Sequence, residues 1–286
     1  MGSVVCVGLV TLDVVQVVER VPGLDEKVVA LDGWTTFGGP AANAAATCAA
    51  LGVPVRLVSA LGSGPVADLV RAGLESAGVE VVDLAPRLAD LVAVSSVLVT
   101  EATGTRAVVS RNATGAPDLS AGAVRVAVGG PGDVVLVDGH HRGAATVVAT
   151  RARADGATVL ADGGSWKPGL DRLLAEVDVA VLSADFRLPT AADPDALLGE
   201  VARLGPSVVA RTDGPRPVLV RTADGVVHEI EPPTVPVVDT LGAGDVLHGG
   251  VAAALAQGAD VLEAVAAGVR LASRSVRARG ALGWVR

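Results

Sequence analysis

Asp239-Thr240-Leu241-Gly242-Ala243-Gly244-Asp245 is the stretch on which the reading of this chain turns. It follows an apolar, proline-flanked segment, Pro232 to Val238, and opens an Ala/Val/Leu-rich run from Val246 to about Gln257 that reads as a buried helix. Gly242 and Gly244 let the backbone turn tightly and approach a ligand. A helix start leaves amide N–H groups unpaired and carries partial positive charge, which suits a phosphate or a developing anion. Asp245 falls in the first turn, beside that anion site. In isolation such an Asp merely suits a helix N-terminus, and a lone Gly-x-Gly-Asp pattern is a weak signal. Transfer of a phosphoryl group to an alcohol nevertheless requires this pairing. The Asp245 carboxylate would orient the hydroxyl and take its proton, while the amides of Gly242, Ala243 and Gly244 would hold the charge spreading over the phosphate oxygens.

Bulk properties set the frame. With 286 residues, half of them hydrophobic, the chain can bury a large core, as one large domain or a domain with a small appendage. A net charge of -8 argues against a general nucleic-acid binder. Lys27 and Lys167 are the only lysines. Cys6 and Cys48 lie in apolar runs without metal-ligand spacing and read as small core residues. No uninterrupted apolar run approaches the length of a membrane span, and the N-terminus opens directly on an apolar strand. A soluble, cytoplasmic protein without membrane or nucleic-acid partners is expected.

In chain order, Val4 to Leu9 reads as a strand buried on both faces, ending at Thr11-Leu12-Asp13. Ligands gather at the carboxyl ends of strands in open α/β sheets, so Asp13 is a candidate for binding hydroxyls. Residues 14–37 (Val14 to Val21, Lys27 to Phe37) and 91–111 (Leu91 to Thr100, Thr105 to Arg111) alternate in polarity and predict a small sheet with one wet face, or two unrelated edge hairpins. Gly38-Gly39-Pro40-Ala41-Ala42-Asn43 announces a tight turn into a helix, with Asn43 the one polar side chain among alanines. Ser110-Arg111-Asn112 ends a strand, where Arg111 could meet a phosphate and Asn112 a sugar hydroxyl, or both be solvated. The second half alternates strands (Val134 to Val137, Thr158 to Ala161, Val177 to Leu182, Val208 to Ala210) with helices (Ala144 to Asp155, Ala191 to Leu204), the pattern of a mostly parallel sheet. Asp138 and His140 sit at a strand's carboxyl end and are candidate sugar contacts. His140-His141 lacks the further ligands of a metal site.

The two glycine-bearing motifs together resemble the signatures of the ribokinase/PfkB family of sugar kinases, over essentially the whole chain. That resemblance implies a three-layer αβα ribokinase-like fold, one domain over residues 1–286, with a β-sheet lid built from residues 11–37 and 91–111. It implies an ATP- and magnesium-dependent transfer of the γ-phosphate to a sugar hydroxyl, with Asp245 as base. Asp13, Gly38, Gly39 and Asn43 would contact the sugar. Thr212-Asp213-Gly214 and Thr240 would serve the nucleotide, and the helix from Val261 to about Arg279 would pack the adenine at Gly268 and Val269. A monovalent cation such as potassium is implied near Asp239 and Gly280, and a homodimer through the lid.

The chain also departs from the family pattern. Ser183 and Phe186 stand where relatives have Asn and Glu linked to magnesium, with Asp185 a partial substitute. Val269 replaces the common adenine-contacting Asn. Pro40 stands where ribose enzymes carry Lys. Gly8 to Val15 and Val66-Ala67-Asp68 resemble the ketohexokinases. Asp245 to Gly249, Gly268-Val269 and Lys27 resemble the sulfofructose kinases, in which case Lys27 or Arg111 would bind an anionic substituent. A ketose or ketose derivative is therefore the expected acceptor. A nucleoside kinase of the same fold and a non-catalytic sugar sensor are the alternatives.

Overall fold

The computed structural model describes residues 2–189 and 194–285. Its elements are β1 (Val4–Val7), β2 (Thr11–Val18), β3 (Asp32–Gly38), α1 (Pro40–Ala50), β4 (Val55–Ser59), α2 (Pro65–Ser76), β5 (Glu80–Asp83), β6 (Ala93–Thr100), β7 (Arg106–Ser110), α3 (Ser120–Ala123), β8 (Val134–Val137) and α4 (Arg142–Ala154). They continue with β9 (Thr158–Gly163), α5 (Leu170–Leu174), β10 (Val179–Leu182), α6 (Pro194–Ala202), β11 (Val208–Asp213), β12 (Arg216–Arg221), β13 (Val227–Ile230), α7 (Ala243–Ala256) and α8 (Val261–Ser275). The predicted start of α6 at Ala191 lies outside the described residues.

A nine-stranded sheet has the order β13-β12-β11-β10-β9-β8-β1-β4-β5. It is parallel throughout, except where β12 and β13 run antiparallel at one edge. Its central strands are near-continuous apolar runs because both faces are covered. Val4 and Cys6 face a core shared with α1, α2, α7 and α8, while Val5 and Val7 face one shared with α4, α5 and α6. Cys6 and Cys48 are buried and free, as expected of small core residues.

A second sheet, β3-β2-β6-β7, carries the polarity alternation seen in the sequence. The alternation survives along β6 but not along β2, where Val14 and Gln16 alone escape burial. Asp13 also proves to lie within β2, paired with Thr36 and Ser95, rather than at the end of β1, because the chain runs straight from β1 into this sheet. β3 begins at Asp32 rather than Lys27, and residues 24–27 are an exposed loop. On the inner face Val15, Val97 and Val99 pack with Trp34 and with Leu241 of the glycine motif, which anchors the small sheet over it.

Helices α1, α7 and α8 meet at glycines. A Cβ on Gly249 would come within 2.6 Å of Thr47 Cβ, and one on Gly268 within 2.6 Å of the Leu247 carbonyl oxygen. These gaps let α7 lie close to both neighbours. Gly268→Ala must push α8 away from α7 and is expected to cost about 1–3 kcal/mol, as overpacking does. A urea unfolding midpoint equal to wild type would show that the helix pair yields at no cost.

Candidate active site

The connection leaving β1 reaches α1 on one side of the sheet, and that leaving β8 reaches α4 on the other. The β1/β8 boundary is thus the switch point at which a crevice opens beyond the strand ends. Asp138 sits there, just past β8, with its side chain buried. Its Oδ2 accepts from the amides of Leu9 (2.8 Å) and Ala41 (3.1 Å). Its Oδ1 accepts from the His140 amide (2.9 Å) and lies 3.2 Å from His140 Nδ1. Burial alone would raise this carboxyl, but the His140 ring and the amide donors outweigh it and hold the group at about 2. A Cβ on Gly8 would lie 2.1 Å from the carboxylate, so only glycine admits it. The expectation of a sugar contact is corrected for Asp138, because both oxygens are already occupied in joining β1, β8 and α1. His140 also turns inward, between Asp138 and Lys167 Nζ (3.3 Å from Nε2).

Asp13, Asn43 and Asp245 converge as the motifs suggested. Thr11 Oγ1 donates to Asp13 Oδ1 at 2.6 Å, which orients the buried carboxylate. A Cβ on Gly38 would meet Asp13 Oδ2 at 2.0 Å and one on Gly39 (φ +97°) the Leu9 carbonyl oxygen at 2.5 Å, so these glycines make room for Asp13 and for the chain's entry into α1. Asn43 Nδ2 donates to Asp245 Oδ2 at 2.7 Å, across 202 positions of sequence. Asp13 and Asn43 line one cavity of about 740 Å³ between the small sheet and the 278–283 segment, together with Trp34, Leu241, Arg279 and Gly280.

The glycine motif turns into α7 through Gly242, whose φ of 74° is left-handed. A Cβ on Gly244 would meet open space, so that edge is free for a ligand. Ala243 donates its amide to the Thr240 carbonyl at 3.3 Å, the long end of the hydrogen-bond range. The Gly244 and Asp245 amides have no backbone partner among the described residues. Asp245 is pushed up to about 7, by burial first and by the nearby Asp162 carboxylate second. The Asn43 hydrogen bond, His248 and Arg106 act in the opposite direction without reversing it. Desolvation and the second carboxylate thus outweigh the donors and cations around the group. Asp239 is buried, accepting from the amides of Leu241 and Gly280 (both 2.8 Å), and so pins the motif to the segment after α8.

Other expected contacts fall elsewhere. Lys27 is exposed in the loop before β3 and does not line the Asp13 cavity. Arg111 and Asn112, beyond β7, line other cavities: Arg111 Nε donates to the Thr114 carbonyl, and Asn112 adopts a left-handed φ of 50°. Thr212 Oγ1 donates to the Leu182 carbonyl (3.3 Å), and Gly214 forms the left-handed turn between β11 and β12. Val269 is packed in the core and Gly268 against α7, so neither presents a side chain to adenine. Phe186 is fully buried, edge-on to Trp166, and Ser183 Oγ donates to the Gly164 carbonyl. These two positions do not fit a magnesium site, and among the described residues no group of three or more His, Cys, Asp or Glu could hold a metal ion.

Three residues of this neighbourhood were not singled out from the sequence. Arg106, on β7, donates to the Thr240 carbonyl (2.8 Å) and to Thr240 Oγ1 (3.0 Å), tying the small sheet to the motif. Asp162, near the end of β9, has its carboxyl raised by burial. His248, one turn past Asp245, has Nδ1 2.7 Å from the Gly244 carbonyl oxygen and 3.5 Å from Asp162, and Nε2 3.0 Å from the Val181 carbonyl oxygen. A strand-end position could have flagged Asp162, and a lone polar residue in an apolar helix His248. No local signal marks Arg106.

A family model described as pfkB family carbohydrate kinase matches residues 1–283. The chain is 25% identical over 290 residues to a ketohexokinase of Mus musculus, with 97% of each chain covered. Ribokinase from Giardia lamblia superposes with a TM-score of 0.81 at 18% identity, covering 100% of this chain and 96% of that one. Arabidopsis thaliana ribokinase, solved with ribose and ATP, superposes with a TM-score of 0.76 at 22% identity, covering 99% and 96%.

Proposed function

The chain belongs to the pfkB family of carbohydrate kinases and is an ATP-dependent sugar kinase, and from that premise we propose that its acceptor is a ketose or ketose derivative. The observation that carries the site assignment is the Asn43–Asp245 hydrogen bond, which joins the two glycine-bearing motifs beside the cavity that holds Asp13. The ketose follows from the likeness to ketohexokinase.

In this reading Asp13 and Asn43 bind sugar hydroxyls, and Asp245 accepts the proton of the reacting one. The freed oxygen attacks the γ-phosphorus, the bond from that phosphorus to the bridging oxygen breaks, and ADP leaves. The Gly242 and Gly244 amides, with that of Asp245 beside them at the N-terminus of α7, face the charge that spreads over the transferring phosphoryl group. Thr212, Gly214 and Thr240 lie along the nucleotide path, with Gly268 and Val269 shaping its far wall through the α7–α8 packing. Arg106 holds the small sheet down over the motif as a lid. Magnesium arrives with ATP as part of the substrate, since the Ser183 and Phe186 positions do not fit a resident ion. The Asp239–Gly280 junction is where a monovalent cation would sit. Val94, Val108 and Val109, exposed on the small sheet, would form the homodimer surface. No helix among the described residues is long and apolar enough to cross a membrane, consistent with work in the cytoplasm.

The test is ADP release from magnesium-ATP across ketoses, aldoses, anionic sugars and nucleosides. Fastest turnover on a ketose is expected. A higher kcat/KM for a nucleoside or an aldose would overturn the acceptor assignment. Sugar binding without turnover would identify a sensor.

A further inference from the structure

His248 is the one polar side chain of α7 past its first turn, it is buried, and it has no part in the proton and phosphoryl transfers proposed above. Its ring lies between two backbone carbonyl oxygens. Nδ1 is 2.7 Å from that of Gly244, four residues back along the helix, and Nε2 is 3.0 Å from that of Val181 on β10. A carbonyl oxygen only accepts, so each nitrogen must present a hydrogen to it. A neutral imidazole carries one N–H and would set its bare nitrogen against an oxygen, where no water relieves the clash of lone pairs. Only an imidazolium satisfies both contacts. The counter-charge is at hand: Asp162 Oδ2, from β9, is 3.5 Å from Nδ1, and the two side chains are 5% and 9% exposed. Charges so far out of solvent act strongly on their neighbours.

Both partners act on Asp245. The Gly244 carbonyl belongs to the same peptide unit as the Asp245 amide. The imidazolium therefore fixes the plane of that peptide and polarises it, with the N–H directed the opposite way, out of the N-terminus of α7. The Asp245 carboxyl also feels two opposed charges, Asp162 raising it and His248, the smaller influence, lowering it. Asn43 on α1 and Arg106 on β7 lower it as well. At Asp162, burial raises the carboxyl and His248 opposes that most strongly, while Asp138, His140 and Lys167 act more weakly.

We propose that His248 is an imidazolium ion-paired with Asp162, and that this buried pair is a positioning element for the reaction, fixing the Gly244–Asp245 peptide and balancing the charge around the Asp245 carboxyl. The charge assignment stands on the hydrogen-bond pattern alone. The catalytic consequence rests on Asp245 being the base, as proposed above.

The first readout is the nitrogen-15 NMR spectrum of the histidine rings in the whole chain near neutral pH. The chain has four histidines, His140, His141, His228 and His248, so each ring can be followed. His248 is identified by its loss in His248→Gln or, should that variant not fold, by scalar coupling to its own backbone. Hydrogen on both His248 nitrogens is expected in wild type, and the second should leave at lower pH once Asp162→Asn removes the counter-charge. A bare nitrogen on His248 in wild type overturns the proposal, whatever the kinetics. The second readout is the pH dependence of kcat/KM. The rise assigned to Asp245 should move to higher pH in His248→Gln and to lower pH in Asp162→Asn. In His248→Gln kcat should also fall roughly tenfold or more, the equivalent of one charge-assisted hydrogen bond. Damage to packing alone would lower activity at every pH alike and move neither profile. Profiles unmoved in both variants overturn the positioning role. Failure of the base reading looks different: Asp245→Asn then keeps its turnover while the His248 spectrum stays that of an imidazolium.

Discussion

Asp245→Asn is expected to lower kcat by roughly 10²–10⁴-fold, the usual contribution of a positioned general base, with ATP affinity close to wild type. The amide keeps the shape of the side chain and can still contact Asn43, but it cannot accept the proton of the reacting hydroxyl. The pH dependence supplies a second readout. Burial and Asp162 raise the Asp245 carboxyl to about 7, so in wild type kcat/KM should climb as the pH rises through that value and level off above it. Because Asp245 and Asp162 interact, the apparent value belongs to the pair.

Stability gives a control with a defined sign. A carboxyl raised in the folded state binds its proton more tightly there than in the unfolded chain. The cost of ionising it is therefore absent below its unfolded value, near the ordinary carboxylate range, and fully present above about 7. Asn removes that cost, so the variant should be at least as stable as wild type at alkaline pH. Turnover within a few-fold of wild type, in a variant that folds, would remove Asp245 from the chemistry.

Asp138→Ala is the substitution expected to harm the fold most, by about 3 kcal/mol or more, because it leaves buried N–H donors without acceptors. The amides of Leu9 and Ala41 lose their partner in one step, and with them the join between the end of β1 and the start of α1. Asn43, two positions into α1 from Ala41, then loses its fixed approach to Asp245. Asp138→Asn should be milder, since one oxygen remains to accept while the new amide faces two donors. The pH dependence here has the opposite sign to that of Asp245. A carboxyl held at about 2 in the folded state lies below its unfolded value, so its stabilisation is present above the ordinary carboxylate range and disappears as the pH falls toward 2. Urea midpoints of wild type and Asp138→Ala should converge over that acid window. Equal midpoints at neutral pH would show that Asp138 holds nothing together.

The sequence by itself determined the architecture and the two motifs. Apolar runs such as Val134 to Val137 read as strands covered on both faces, and their alternation with helices is the pattern of a mostly parallel sheet. Gly39 before Pro40, and Gly242 before Ala243, are turns into helices, and glycine admits their positive φ without strain. Asp13, Asn43 and Asp245 were legible because each is a polar residue where local pattern demands a reason for one.

Tertiary structure alone decided what each polar group does. Asp13 and Asp138 look alike in sequence, yet one lines a cavity and the other is spent on backbone amides. Lys27 and Lys167 are the chain's two lysines, yet one is in solvent and the other is held at His140. Arg106 reaches Thr240 across 134 positions. The charge on Asp245 depends on how near Asp162 comes from another element. Propensity and periodicity act over a few residues, whereas electrostatics and desolvation depend on distances in space that only the folded chain sets.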